Sequence, residues 1–156
     1  MFSFLKDLMQ SDKTMTDIAV NERLALARTM CELFVEAAHV DDDGMDDKES
    51  HMIAHIMADH FDLGESEIKS LFEEALAASH DRVQMHGLAK QLRDMTDYEE
   101  RLAMLELIWM VVLADDHLDH MEASLMRRLS GLLYIEDVDS GKAAKAAKEK
   151  LALAGR

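Results

Sequence analysis

Apolar residues recur at helical spacing along most of the chain. Ala27, Cys31, Phe34 and Ala38 form one stripe, and Leu102, Leu105, Ile108, Trp109, Val112 and Leu113 form a second that leaves only a narrow polar face at Glu106. Between such stripes stand pairs of Asp followed three residues later by Glu: Asp46/Glu49, Asp97/Glu100 and Asp119/Glu122. Each pair has the form of a capping box, in which the two carboxylates satisfy backbone amides left free at a helix start. Periodicity between these marks predicts helices near 3–9, 17–40, 46–60, 65–79, 82–94, 98–114, 119–133 and 138–153. Gly64, coming after Phe61 and Leu63, is expected to close the third of them. Proline is absent and glycine occurs six times, so little interrupts the helices. The reading is all-α, a bundle of about seven to eight helices joined by short loops, in one domain over 1–156.

Charge narrows the partners. The 156 residues carry a formal net charge of −15, which excludes a nucleic-acid backbone and favours a cation. Charge is also uneven, because Lys142, Lys145, Lys148, Lys150 and Arg156 oppose only Glu149 over 141–156. The single cysteine, Cys31, excludes an intrachain disulfide and a cysteine zinc cluster, and its place on an apolar stripe makes it a buried inert thiol. Residues 1–12 lack the apolar core of a signal peptide. The most apolar run, 102–114, contains Glu106 and is shorter than the roughly 20 residues that cross a bilayer. A cytoplasmic domain is expected.

A shift of 73 residues superposes VDDDGMDDKESHMI (40–53) on LADDHLDHMEASLM (113–126). Asp42 then falls on Asp115, Asp43 on Asp116, Asp46 on Asp119 and Glu49 on Glu122, with Phe34/Leu107, Val35/Ile108 and Ile53/Met126 among the apolar matches. The repeat covers about 30–60 and 103–133, and predicts two helical hairpins related by a pseudo-twofold axis around one core.

The two acidic turns hold more than half of the net negative charge. Carboxylates this crowded repel unless solvent, a raised pKa or a hard cation relieves them, and oxygen-only ligands suit calcium, magnesium or manganese. Asp42, Glu49, Asp115 and Glu122, with Asp43, Asp46, Asp116 and Asp119, are the candidate metal ligands. Capping accounts for Asp46, Glu49, Asp119 and Glu122 without any metal, but not for Asp42 and Asp115 near the end of the preceding helix, where negative charge is unfavourable. An EF-hand does not fit, since the twelfth residue from Asp41 is Met52 and from Asp43 is Ala54. Elsewhere, His51, His55 and Asp59 read as a solvated stripe. Glu36 and His39 form one Glu-x-x-His, whose counterparts in the second copy are Trp109 and Val112, so a di-iron bundle is excluded. The thirteen methionines read as core filler. Phosphate-binding glycine loops, nucleophile triads and zinc-protease motifs are absent from the sequence, so no catalytic residue and no organic cofactor is assigned.

An apolar helix followed by D-x-x-[apolar]-x-x-x-E, twice, resembles the TerB, or tellurite-resistance-B-like, family over most of the chain. The stretch ADDHLDHMEASLMRRLSGLLYIED (114–137) is the nearest match. Carried over, the family's acidic pair falls on Asp42 with Glu49 and on Asp115 with Glu122; after each first Asp, where the family prefers Gly, this chain has Asp43 and Asp116. The resemblance implies a bacterial all-helical bundle with an acidic, metal-binding face, working in stress or metal-ion response through protein assemblies, and no known reaction. The expected function is a non-enzymatic, divalent-metal-responsive interaction module with protein partners and no transmembrane segment, an assembly at a membrane surface being compatible and the oligomeric state open. The alternatives are a metal-dependent enzyme using the same carboxylates and a metal-free structural adaptor.

Overall fold

The computed structural model describes residues 13–38, 46–78, 84–115 and 118–154. Seven helices make up this described part: α1 (Lys13–Ala38), α2 (Asp47–Phe61), α3 (Glu65–Ala78), α4 (Gln84–Met95), α5 (Tyr98–Val112), α6 (His120–Leu132) and α7 (Asp137–Leu153). The all-α expectation holds. The helix expected over 3–9 lies outside the described residues, and the other predicted helices correspond to α1–α7 with ends shifted by a few residues.

Burial explains the arrangement. In the second half of α1 the buried residues Leu26, Ala27, Met30, Cys31, Leu33, Phe34, Val35, Ala37 and Ala38 leave little outward face. A helix that is apolar nearly all round has to be enclosed, and α1 packs against α2, α3, α4, α5 and α6. Helix α5 is the second buried axis, with Met104, Leu105, Leu107, Ile108, Trp109, Val111 and Val112 all buried. It lies against α1, α2, α6 and α7. Tyr98 donates to Asp139 at 2.6 Å near the starts of α5 and α7, and Lys150 pairs with Glu106 further along both, so these two helices run parallel. Among the described residues, no helix is long and apolar enough to cross a membrane. Cys31 is buried, and burial pushes its thiol up to about 12, in keeping with an inert side chain.

One turn corrects the sequence reading. Gly64 does not close α2. Asp62 takes the left-handed conformation (φ 55°, ψ 45°) that ends the helix, and its N–H donates to the Met57 carbonyl. Asp tolerates this region better than most residues, which freed the glycine for another place. Gly64 instead opens α3: its N–H donates to Glu67 Oε1 at 3.2 Å and its carbonyl accepts from Ile68 N–H at 3.0 Å.

Candidate metal centre

Capping boxes fix the starts of α2 and α6. Asp46 Oδ1 accepts from Glu49 N–H at 2.8 Å while Glu49 Oε1 accepts from Asp46 N–H at 3.2 Å; the corresponding distances for Asp119 and Glu122 are 2.7 Å and 3.1 Å. Each glutamate is thereby turned back toward its own helix start, and packing buries both, leaving Glu49 4% and Glu122 3% exposed. Both belong to the few buried polar or charged side chains among the described residues.

A third carboxylate arrives from the other copy of the repeat. Helix α5 stops at Val112, two residues short of its expected end, and Leu113–Asp115 turn away from it, with Leu113 N–H donating to the Trp109 carbonyl and Ala114 N–H to that of Val111. Asp115 lies three residues past the end of α5, and its carboxylate meets those at the N-terminal end of α2, where the helix dipole favours negative charge. One carboxylate oxygen each from Asp46, Glu49 and Asp115 lie within 4.8 Å of one another. Oxygens opposite each other around calcium, at 2.3–2.6 Å from the ion, stand about 4.6–5.2 Å apart, so three such groups can enter one shell without rearrangement of the backbone.

Glu49 carries the electrostatic burden. One of its oxygens is used by the cap; the other, Oε2, is buried with no hydrogen-bond partner among the described residues. Burial pushes its carboxyl up to about 7, and the negative charges of Asp46, Glu122 and Asp115 push in the same direction against the opposing effect of the Asp46 backbone hydrogen bond. A buried carboxylate oxygen without a donor is costly, and a cation is one of the few groups that can relieve it beside two further carboxylates. The chemistry of the donor set, oxygen only, fits a hard divalent ion, with water completing the shell.

The structure distributes the predicted ligands unevenly. It groups Asp46, Glu49 and Asp115 across the two repeats; the family resemblance implies the pairs Asp42 with Glu49 and Asp115 with Glu122 within each. The reason is that Asp115 lies past the end of α5, facing α2. Glu122 is buried close enough to Glu49 for their charges to interact, and Asp119 is the half-buried cap of α6. Asp42, Asp43 and Asp116 lie outside the described residues, as does His39. His51, His55 and Asp59 are exposed, with His55 Nε2 and Asp59 Oδ2 3.1 Å apart, as the solvated-stripe reading expects. Sequence reasoning attached no weight to Leu118 and Met121, two exposed apolar residues beside the acidic turn; the signal available was the small Ala123, which cannot cover a residue at the position before the cap.

No curated protein and no solved structure matches the chain. The family model described as "Tellurite resistance protein TerB" matches residues 23–145, a span that takes in both acidic segments, the whole of α2–α6 and the greater part of α1 and α7. With more than half of its length inside that match, the chain belongs to the TerB family.

Proposed function

We propose that this TerB domain binds a hard divalent cation, calcium, magnesium or manganese, through Asp46, Glu49 and Asp115, and acts as a non-enzymatic interaction or sensing module in a stress or tellurite-type response. The observation that carries this reading is the buried Glu49 Oε2, without a hydrogen-bond partner among the described residues, within a cluster of three carboxylates. Binding would exchange repulsion among these groups for coordination and would tie the turn after α5 to the start of α2. The proposed role therefore couples ion occupancy to the relation between the two copies of the repeat, with protein partners as the readers.

A metal-dependent enzyme is the competing reading, favoured by a carboxyl held near neutrality as a general acid or base requires. Under the proposed reading that carboxyl is itself a ligand, which leaves no separate proton carrier within the cluster of three. Calorimetric titration of chelator-treated protein with calcium, magnesium, manganese and zinc, at constant ionic strength, tests the proposal. Saturable binding of a hard ion that is lost in Glu49→Gln and Asp115→Asn supports it; equal heats for wild type and variants contradict it.

A further inference from the structure

Large apolar side chains are exposed at few described positions, and two of them, Leu118 (38%) and Met121 (47%), stand at the start of α6. Local sequence explains why they are uncovered. Leu118 occupies the position before the cap Asp119, where an apolar residue ordinarily packs on the fourth residue of the helix; that residue here is Ala123, too small to cover it. Met121, at the second helical position, projects from the same turn of chain. Within a few residues on either side lie Asp115 and Asp119, and Asp115 in turn meets Asp46 and Glu49. The result is an apolar pair set in the most acidic part of a protein of net charge −15.

We propose that this face, Leu118 and Met121 with Asp115 and Asp119 a few residues away, seats a basic amphipathic helix of a partner protein, and that the divalent cation competes with that helix for Asp115. Charge complementarity selects the occupant: apolar anchors alone would take any amphipathic helix, but the neighbouring carboxylates favour one whose polar flank carries lysine or arginine. A helix is the fitting mode because the described residues offer helix surfaces and no sheet edge on which an extended peptide could add a strand. The docking surface stands on its own observations. The competition rests on the cation reading above, since an ion that occupies Asp46 and Asp115 neutralises the charge that attracts the partner, and linkage makes the antagonism mutual.

The test uses the full chain and a fluorescein-labelled synthetic helix with leucines on one face and lysines on the other, followed by anisotropy. Wild type should bind it, and Leu118→Gln/Met121→Gln should weaken binding about tenfold or more while calcium binding by calorimetry is retained. Val138→Gln/Leu153→Gln, which removes two exposed apolar side chains elsewhere, should change affinity less than about twofold. Calcium chloride should weaken the wild-type complex about fivefold or more relative to sodium chloride at equal ionic strength. Equal affinity for the two double variants overturns the docking site. Retained peptide affinity in saturating calcium overturns the competition. If calorimetry finds no ion binding, the cation reading fails together with the competition, while the docking surface is still decided by the Leu118/Met121 arm. Concentration-dependent self-association of wild type that Leu118→Gln/Met121→Gln abolishes would overturn the partner assignment, making the lysine-rich part of α7 of a second copy, from Lys142 to Lys150, the occupant.

Discussion

Helix α2 and helix α5 start in the same way and end up in different chemistry. Asp97 and Glu100 form a capping box with distances of 2.8 Å and 3.1 Å, nearly those of Asp46 and Glu49. Glu100 keeps part of its surface in water, however, while Glu49 is buried beside Asp115 with one oxygen unpartnered among the described residues. The local motif is therefore the same, and tertiary packing decides whether its glutamate is only a cap or also a member of a cluster of three carboxylates. The start of α6 is intermediate: Glu122 is as buried as Glu49, in the same cap, near enough for the two charges to interact.

The largest expected effect comes from loosening the core that presents Asp115. Ile108 is fully buried on α5, and Ile108→Ala should cost about 2–5 kcal/mol in urea unfolding. A loss below about half a kcal/mol would show that α5 does not anchor the turn. Next come the caps themselves. Asp97→Ala should destabilise by about 0.5–2 kcal/mol with or without divalent ions, because only capping is lost. Asp46→Asn keeps a good cap and removes a charge, so in chelator it should match or exceed wild-type stability, and it should forfeit any gain from calcium. If Asp97→Ala and Asp46→Asn respond to calcium alike, the contrast between the two helix starts is broken.

Titration sharpens the contrast with a smaller signal. The folded protein holds the Glu49 carboxyl up at about 7, above its ordinary value near 4.5, so the native state takes up the proton more readily than the unfolded chain. Its contribution to stability is therefore full at acid pH and is lost as pH rises from about 4.5 through 7. In metal-free buffer, Glu49→Gln should flatten the decline in stability over that window, and Glu100→Gln should leave it in place. Parallel curves for Glu49→Gln and wild type would show that Glu49 is solvated like Glu100.

What the sequence revealed, and what it concealed, follows the same division between local and tertiary causes. All three capping boxes were legible as Asp-x-x-Glu, since every atom involved lies within one turn of chain. The bundle was legible because the second half of α1 and most of α5 have too few polar positions to be anything but enclosed. The C-terminal turn of α2 was misassigned because two residues near it, Asp62 and Gly64, can both serve in tight turns, and packing rather than local preference chose between them. The crossing of Asp115 to α2 could not be read from the repeat alone. A 73-residue shift shows which residues are equivalent, but whether equivalent carboxylates meet within a copy or between copies depends on how the helices pack.

The central claim, that the cluster of Asp46, Glu49 and Asp115 is a cation site and not a solvated acidic turn, is tested most directly by chemical denaturation with and without calcium or magnesium at matched ionic strength. Sodium chloride controls for screening of the −15 charge. Wild type and Glu100→Gln should each gain about 2.7 kcal/mol at an ion concentration one hundred times the dissociation constant, and Glu49→Gln should gain nothing beyond the salt control. Equal gains in all three proteins, or no gain beyond sodium chloride in wild type, would contradict the account.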